Sequence, residues 1–461
     1  IEELWRRAPL GTNSYSICGI THTTATAAVM QGFFDLRMAP QMEWDAVICT
    51  SNAVRQSVAW QQEMIDDHMR WRFGKAPPRF QMPVIPLGIH CDDFRPDPAA
   101  RASLRARMGV GEGDVVCTLT ARLNPNIKFD PLPFYLALQA AQVQLGAGCR
   151  LHLALCGVFS EDHGRRVFLD SARKLMPDVG FLHLDGTNAQ ERKAAMSAGD
   201  IYLFPIDNVQ ETFGLAPIEG MAAGLPLVVS DWDGMKDTVT ADAGFRIPTH
   251  TLEARHAVTE AERYRHKIDS YAHYLSKVSA MTRIDLPEMT ARLVELARNP
   301  DLRRKMGAAG QARARSLYDW SAIIPQMQDL WADLAARRRA GQAGNLTYKA
   351  HALPTAPSPF ALFRSYPTGQ LRFGGEAYVA TDLTGRAGVA DLWALRDYTT
   401  LKRTLQTEAE VTALHRALVA AGQGGASAAA LAAASKLPLA TVERALMWLL
   451  KFDFARPAAR G

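Results

Sequence analysis

Residues 210–226 read QETFGLAPIEGMAAGLP and lie between two short apolar runs, 201–205 and 227–230. The apolar runs have the length and composition of buried strands, so we predict the order strand, loop, helix, strand. Pro217 suits the first turn of this helix, where its missing N–H costs nothing. Gly224 suits the left-handed residue that ends a helix. The helix is short and its side chains are mostly small and apolar, so we expect it to pack against a sheet.

The N-terminus of this helix is a candidate phosphate site. Its free backbone N–H groups follow the flexible Gly214 and point out of one end of a parallel sheet. Glu211 lies in the loop before the helix, and we expect Glu219 in its first turn. A carboxylate beside a phosphate site can accept hydrogen bonds from sugar or ribose hydroxyls. Spacing alone leaves a second interpretation open, in which Glu219 complements the helix dipole and Glu211 is a solvated loop residue.

The pattern around the two glutamates points to a known family. Glu211 is followed, after Thr212, by Phe-Gly-Leu, and Glu219 opens the run Glu-Gly-Met-Ala-Ala-Gly-Leu-Pro. This resembles the signature of the retaining glycosyltransferases of family 4, the glycosyl transferases group 1. The resemblance implies the GT-B fold, with two Rossmann-like domains across a cleft. It implies that Glu211 contacts the donor sugar, that Glu219 holds the nucleotide ribose, and that the backbone of Phe213, Gly214 and Leu215 meets the diphosphate.

Composition sets the broad class of the protein. The chain has 461 residues, of which 48% are hydrophobic and 21% charged, as in ordinary globular proteins. A net charge of +5 is too small to argue for nucleic acid. The six cysteines fall in the first third, several of them in apolar runs, which favours buried reduced thiols in a cytoplasmic protein. Peripheral contact with the inner face of a membrane stays open.

The chain divides into four predicted segments. Residues 1–96 form a partial N-terminal Rossmann-like domain that holds the acceptor, and residues 97–340 form the nucleotide-sugar domain with a returning helix. Residues 341–405 are a linker and an unassigned segment, and residues 406–461 form a helical module. The chain begins with Ile1 and only about 95 residues precede the junction, fewer than the usual size of a domain. We therefore expect the first domain to be shortened at its N-terminus.

Three more residues are candidates for the chemistry. Arg122 lies near the carboxyl end of the predicted strand 114–123 and Lys128 just past it, so both can reach one anion, as a planar fork and a point charge. The resemblance implies that they stabilise the departing nucleoside diphosphate, although Phe129 stands where the family usually has Gly. His22 lies in the polar turn that ends another predicted strand, 14–23, and the resemblance implies a place near donor and acceptor. The alternatives are two surface charges and a histidine that only hydrogen-bonds its loop.

Three further stretches have weaker signals. Asp231-x-Asp233 could hold a divalent metal in another fold, but here we interpret it as a turn and expect neither metal nor cofactor. Residues 68–75 interleave basic and aromatic side chains; we favour a solvated surface turn over contact with an anionic lipid. Residues 250–285 resemble an insertion rich in tyrosine and histidine, to which we assign no role.

The C-terminal part contains three predicted helices, 407–421, 427–435 and 438–450, after a proline-rich linker at 353–359. They weakly resemble a winged helix-turn-helix core. The third helix offers only Thr441 and Arg444 to a nucleic acid, so we favour a protein-interaction or self-association module over DNA binding.

The function predicted from the sequence is transfer of a sugar from a nucleotide-diphosphate sugar to an acceptor hydroxyl, with retention of configuration. The acceptor class, whether glycan, lipid or small molecule, is left open. The acceptor hydroxyl attacks from the face that the diphosphate leaves, so the leaving group can take its proton and no dedicated base is required. Two alternatives come from other classes: an inactive scaffold that binds a nucleotide or a partner, and a regulator whose C-terminal module binds DNA.

Overall fold

The computed structural model describes residues 2–341, 347–349, 353–382, 387–401 and 406–458. Ile1, parts of the predicted segment 341–405 and the last three residues lie outside the described residues. The chain divides into a first unit, Ile1–Ala356, and a second unit, Pro357–Gly461. Within the first unit we refer to residues 1–96 as the first domain and to residues 97–340 as the second domain.

The strands of the first unit are β1 (Cys18–Ile20), β2 (Ala46–Ile48), β3 (Val115–Leu123), β4 (Leu151–Phe159), β5 (Gly180–Asp185), β6 (Ile201–Phe204), β7 (Leu227–Ser230), β8 (Gly244–Ile247), β9 (Thr249–Thr251) and β10 (Thr282–Ile284). Strands β3 to β8 form one parallel sheet in the order β5-β4-β3-β6-β7-β8. The order changes direction at β3, as in a doubly wound sheet, so the switch point lies between β3 and β6. The α/β class and the GT-B fold predicted from the sequence are confirmed.

The helices of the first unit are α1 (Glu2–Arg7), α2 (Ala27–Met38), α3 (Asn52–Phe73), α4 (Pro98–Met108), α5 (Pro131–Leu145), α6 (Asp162–Leu175), α7 (Ala189–Ala198), α8 (Leu215–Ala222), α9 (Met235–Thr238), α10 (Val258–Arg265), α11 (Tyr271–Ala280), α12 (Leu286–Arg298), α13 (Pro300–Leu317) and α14 (Trp320–Ala340). Many of them begin at a side-chain cap; the hydroxyl of Ser51, for example, accepts a hydrogen bond from the N–H of Val54. No described helix has the length and apolar character needed to span a membrane.

The predicted strand–loop–helix–strand unit around residues 210–226 is confirmed as β6, a loop, α8 and β7. Pro217 is buried in the first turn of α8, and Gly224 has the predicted left-handed φ of 78°. The placement of Glu219 in the first turn is wrong. Helix α8 already begins at Leu215, so Glu219 lies in the second turn and does not cap the helix dipole.

Two predictions in the first domain also need correction. The strand expected over 14–23 is shorter and comprises only β1, which pairs in parallel with β2. Residues 68–75 are not a surface turn: they form the last turns of α3, which ends at Gly74 with a left-handed φ of 76°. Helical geometry rather than a loop therefore presents the aromatic side chains of this stretch to solvent.

Helix α14 returns to the first domain, as the sequence predicts. Its Ile323 packs in one apolar cluster with Ile48 and Ile85 of the first domain. Near its end, Arg338 Nη1 donates to the carbonyl oxygen of Ser14 at 2.9 Å. The two domains are therefore joined by packing as well as by the chain at residues 89–97.

The second unit has its own apolar core. Its helices are α15 (Pro359–Leu362), α16 (Val389–Arg396), α17 (Glu408–Ala420), α18 (Ala428–Ser435) and α19 (Leu439–Lys451), and its strands are β11 (Ala377–Ala380), β12 (Ala426–Ser427) and β13 (Ala455–Pro457). The three helices predicted for the tail are confirmed as α17, α18 and α19. Strand β11 pairs antiparallel with β12 and β13, and Tyr378 and Val389 join the core of the helices. Residues from the predicted segments 341–405 and 406–461 thus share one apolar core.

Candidate functional site

A buried asparagine fixes the loop between β6 and α8. The side chain of Asn208 is fully buried; its Nδ2 donates to the carbonyl oxygen of Asn126 at 3.0 Å, and its Oδ1 accepts from the N–H of Gln210 at 3.0 Å. Its own carbonyl oxygen accepts from Trp232 Nε1 at 3.2 Å. Sequence reasoning missed this residue, because a single buried amide in a loop produces no periodic signal. The asparagine holds the loops after β3 and β6 together, at the carboxyl edge of the sheet.

Those two loops bring Lys128 and Glu211 into contact. Lys128 Nζ lies 2.5 Å from Glu211 Oε2 and 5.1 Å from the centre of the Phe204 ring. Glu211 Oε1 accepts from the N–H of Gly214 at 3.0 Å. Burial raises the pKa of Glu211, but the charge of Lys128 and the hydrogen bonds of Lys128 and Gly214 outweigh it, so the pKa is lowered. The carboxylate is therefore ionised at neutral pH.

Helix α8 presents its N-terminus beside this ion pair. Gly214, immediately before the helix, has a φ of 83° and no side chain to cap the first N–H groups. The Phe213–Gly214 backbone packs tightly on the next turn, where a Cβ at Gly234 would lie 2.2 Å from the carbonyl oxygen of Phe213. Leu215, the first helical residue, is exposed. Uncapped N–H groups at a helix N-terminus next to a lysine form a suitable site for a phosphate.

The first domain contacts the same loop from the opposite side. The hydroxyl of Thr50, which follows β2, donates to the carbonyl oxygen of Thr212 at 3.0 Å. The neighbouring Ser51 hydroxyl donates to Asp233 Oδ1 at 2.7 Å. Burial raises the pKa of Asp233 to about 7, against the lowering effect of the Ser51 hydrogen bond. The loop that carries Glu211 is thus held between the two domains.

His22 and Arg122 lie on the open side of this interface. His22 is exposed and lines a cavity of about 580 Å³ beside β1 and α2, whose other walls include Val29 and Phe33. The lining of the cavity includes residues 21–24, which follow β1. Arg122 is exposed at the end of β3. The structure thus brings Lys128 and Glu211 into direct contact and leaves the side chains of His22 and Arg122 accessible.

Residues 136–272 match the family model described as glycosyl transferases group 1. The similarity to that family covers this part of the chain. It includes α8, Glu211 and Glu219, while Arg122 and Lys128 lie just before the matched residues.

Curated relatives resemble parts of the chain. Over 185 residues it is 30% identical to a GDP-mannose-dependent alpha-(1-6)-phosphatidylinositol monomannoside mannosyltransferase of Mycobacterium tuberculosis, covering 38% of this chain and 45% of that protein. It is 30% identical to a D-inositol 3-phosphate glycosyltransferase of Saccharomonospora viridis, covering 37% of this chain and 39% of that protein. The matches therefore span less than half the length of these two relatives.

Solved structures of sugar transferases are also similar at low identity. Sucrose-phosphate synthase from Thermosynechococcus elongatus is 17% identical with a TM-score of 0.44, covering 73% of this chain and 80% of that one. Anabaena HepE in complex with UDP and glucose is 14% identical with a TM-score of 0.44, covering 68% of this chain and 71% of that one.

The Asp231-x-Asp233 motif makes contacts within the protein. The predicted turn is confirmed: Asp233 has a φ of 41° and bonds Ser51, and Asp231 lies 3.4 Å from Arg246. Among the described residues, no group of three or more His, Cys, Asp or Glu could hold a metal ion. The expectation that the site needs no metal stays a prediction.

Glu219 differs from Glu211 in having no cation in contact. It is half-buried on α8, near Tyr202, whose hydroxyl lies 2.7 Å from Thr120 Oγ1. Burial raises the pKa of Glu219 to about 7, with a small opposing effect from the charge of Arg192. An ionised carboxylate can accept two hydrogen bonds from vicinal hydroxyls, whereas the protonated acid accepts less well.

We expect donor affinity to rise with pH through the pKa of Glu219, which is about 7. The ionised fraction increases by roughly tenfold between pH 6 and pH 8, and the affinity for a nucleotide sugar should follow it. Isothermal titration across this range measures the effect. The variant Glu219→Gln, which does not titrate, should bind more weakly at pH 8 and give a flat profile.

The same shift affects the protein without donor. Between the ordinary glutamate pKa of 4.5 and the raised value of about 7, Glu219 is protonated in the folded state and ionised in the unfolded state. The free energy of unfolding therefore falls as pH rises through that window. Glu219→Gln should remove this part of the fall. An unchanged pH profile of donor binding in that variant would contradict a ribose-binding role.

Proposed function

We propose that this chain transfers a sugar from a nucleotide-diphosphate sugar to an acceptor hydroxyl, with retention of anomeric configuration. One observation carries the proposal: the partly buried Lys128–Glu211 pair, 2.5 Å apart, lies beside the uncapped N-terminus of α8. This arrangement offers a cation and backbone N–H groups to a diphosphate and a carboxylate to the sugar attached to it. Two relatives named as glycosyltransferases support the proposal.

The proposed chemistry follows from where charge develops. As the bond between the anomeric carbon and the diphosphate oxygen breaks, negative charge grows on that oxygen. Lys128, Arg122 and the N–H groups after Gly214 stabilise this charge. Glu211, fixed by Lys128 and the Gly214 N–H, orients the sugar hydroxyls. The acceptor hydroxyl attacks from the same face and gives its proton to the departing phosphate oxygen, so the new bond has the old configuration.

The acceptor enters from the side of His22. The cavity beside His22 is mostly apolar, with Val29, Phe33 and Leu36 among its lining residues. An apolar cavity next to a polar loop suits an acceptor with an apolar part and a hydroxyl-bearing head. The names of the Mycobacterium tuberculosis and Saccharomonospora viridis relatives refer to a phosphatidylinositol monomannoside and to inositol 3-phosphate. We propose inositol-containing lipids as the first acceptors to test, ahead of glycans and other small molecules.

The test is a panel of GDP- and UDP-linked sugars, each assayed for binding and for slow hydrolysis. We expect one donor to bind and to lose both properties in Arg122→Ala. The matched control is Arg173→Ala, because Arg173 lies on α6 and bonds Asp170 of the same helix. If no donor binds to the wild-type chain, the proposal fails and the inactive-scaffold alternative gains. If Arg173→Ala loses as much as Arg122→Ala, the role of Arg122 fails.

Contact with an anionic membrane is a further part of the proposal, and it rests on α3. On this helix Trp60 is 64% exposed, Trp71 80% exposed and Phe73 58% exposed. Arg72 and Lys75 are exposed next to them. Indole rings flanked by basic side chains suit the headgroup region of an anionic bilayer. The chain would then act at the cytoplasmic face of a membrane without spanning it.

We expect Trp71→Ala to reduce binding to phosphatidylserine-containing vesicles by roughly fivefold in co-sedimentation, because an inserted indole ring contributes about 1 kcal/mol or more. Trp331→Ala on α14 is the control, since Trp331 is 51% exposed on another helix. Equal losses in the two variants, or no binding by the wild type, would contradict membrane contact through α3.

For the second unit we retain the proposal of a protein-interaction or self-association module. Its helix α19 buries Val442, Leu446 and Leu449 and leaves Leu439 and Met447 about half exposed. Exposed apolar side chains on the helix that would enter a DNA groove suit a protein surface better than a phosphate backbone. A salt-dependent affinity for DNA that disappears when residues 407–461 are removed would favour the DNA-binding alternative.

A further inference from the structure

The segment between β8 and α12 is an ordered excursion from the second domain. Strands β9 and β10 pair antiparallel at its base, with Thr249 opposite Ile284. Helices α10 and α11 are held together by Asp269, whose carboxylate lies 2.9 Å from Arg263 and 2.6 Å from Lys277. We refer to residues 249–284 as the tyrosine arm, because its tyrosines make the contacts described next.

Two tyrosines of the arm stack on each other inside it. The rings of Tyr264 and Tyr274 lie 4.3 Å apart, with an interplanar angle of 9°. Tyr264 is buried, and the rings of Tyr264 and Tyr271 are 6.5 Å apart. Stacked rings with few rotatable bonds keep the hydroxyl groups at fixed positions. The packing of these rings therefore holds the tyrosine hydroxyls of the arm at fixed positions.

The hydroxyls reach the loop that carries His22. The N–H of Ala27, the first residue of α2, donates to the Tyr264 hydroxyl at 2.9 Å. The Tyr271 hydroxyl lies 3.2 Å from Thr23 Oγ1. Two hydrogen bonds therefore join residues 21–27 of the first domain to the tyrosine arm of the second domain, one at Thr23 and one at Ala27.

The same loop is linked to the loop that carries Glu211. The N–H of Thr50 donates to Thr21 Oγ1 at 3.2 Å, and the Thr50 hydroxyl donates to the carbonyl oxygen of Thr212 at 3.0 Å. Arg122 is close enough to Tyr271 that its charge opposes the rise in the pKa of Tyr271 caused by burial. The tyrosine arm, the His22 loop and the candidate diphosphate site therefore border one cleft.

We infer that Tyr264 and Tyr271 are positioning residues, which hold the His22 loop against the donor sugar and close the acceptor side of the cleft to water. The inference rests on the proposed function and adds to it residues that determine whether the sugar is transferred to the acceptor or to water. With the arm bonded to the loop, the acceptor hydroxyl is the nucleophile nearest the anomeric carbon. With the bonds removed, the loop opens and water competes.

The test uses the full chain and compares Tyr271→Phe with Tyr274→Phe. Both changes remove one hydroxyl from α11, but only Tyr271 reaches Thr23. Donors are GDP-mannose and UDP-glucose, and the acceptor probe is phosphatidylinositol in mixed micelles. We expect Tyr271→Phe to raise donor hydrolysis about threefold and to lower the transfer-to-hydrolysis ratio about tenfold, with the Kd for donor unchanged within twofold. Tyr274→Phe should match the wild type.

Two further measurements separate positioning from simple loss of structure. Thr23→Val removes the same hydrogen bond from the other side, so the double variant should be no worse than either single variant. Amide exchange of peptides covering 20–30 should become several-fold faster in Tyr264→Phe and Tyr271→Phe, while peptides of the sheet stay unchanged.

The outcomes are distinguishable from those that test the proposed function. If the wild type hydrolyses no donor of the panel, including GDP-mannose and UDP-glucose, the proposed function fails. If the wild type hydrolyses a donor and Tyr271→Phe behaves like Tyr274→Phe in the hydrolysis rate and in amide exchange, this inference alone is overturned.

Discussion

Replacing Glu211 by glutamine is expected to lower the rate of sugar transfer by roughly a thousandfold, which is the scale seen when one fixed electrostatic group is lost from an active site. Glutamine has nearly the same shape but no charge. It leaves Lys128, 2.5 Å away and largely buried, without its counter-ion. The uncompensated cation shifts toward the diphosphate, and the acceptor of the Gly214 N–H is weakened. The sugar then loses both its orienting carboxylate and a rigid loop.

The measurement is kcat for transfer or, without an acceptor, the rate of donor hydrolysis at saturating donor. Glu288→Gln is the matched control: Glu288 pairs with Arg292 one turn along α12 and is half exposed. That change should leave the rate within twofold, because exposed pairs of this kind contribute well under about 1 kcal/mol. A Glu211→Gln variant that retains more than a fifth of the wild-type rate would remove Glu211 from the proposed chemistry.

The pH profile distinguishes the two glutamates. The pKa of Glu211 is lowered while that of Glu219 is raised to about 7. The activity of the wild type should therefore fall between pH 8 and pH 6 through Glu219 and not through Glu211. Two carboxylates on one short motif thus have different ionisation because only one of them has a lysine partner.

The second domain could be predicted largely because its signals are local. The β6–α8–β7 unit is defined by an apolar run, a glycine, a proline and a second apolar run within 30 residues. Lys128 and Glu211 are 83 positions apart in the sequence, yet their contact follows from a rule about parallel sheets. Loops at the carboxyl ends of adjacent strands share one edge of the sheet. Strands β3 and β6 are such neighbours.

The errors also have local causes. Pro217 lies in the first turn of α8 as predicted, but the helix begins two residues earlier, at Leu215, where an uncapped glycine gives little signal. That offset moved Glu219 from the first turn to the second. In residues 68–75, exposed aromatic side chains broke the amphipathic pattern by which a helix is recognised. The chain nevertheless stays helical until Gly74.

The tyrosine arm could not have been predicted. Its hydroxyls contact Ala27 and Thr23, which lie 237 and 248 positions earlier in the chain. Sequence periodicity does not indicate contacts over such separations. The same holds for the second unit, where Tyr378 pairs with Pro457 across most of the unit. Sequence reasoning therefore finds the donor side of this site, which one sheet edge assembles. It misses the acceptor side, which is built from contacts between domains.

Gly234→Ala is expected to destabilise the fold by about 3 kcal/mol and to weaken donor binding at least a hundredfold, the upper range for overpacking a rigid site. The φ of Gly234 is −63°, so alanine meets no backbone strain there. The obstacle is space, because a Cβ would lie 2.2 Å from the carbonyl oxygen of Phe213 and 2.6 Å from its Cα. Backbone atoms cannot relieve a clash by a change of rotamer as a side chain can, so the Phe213–Gly214 peptide must move.

That displacement acts on the site directly, since the same peptide leads into the first turn of α8 and the Gly214 N–H bonds Glu211. Thermal unfolding and titration with the donor found in the panel measure the two effects. Gly148→Ala is the control, because no atom lies within 4 Å of its added Cβ and its backbone conformation is ordinary. It should change stability by less than about 1 kcal/mol and leave binding unaltered. If Gly234→Ala binds donor as the wild type does, the Phe213–Gly214 backbone does not hold the diphosphate.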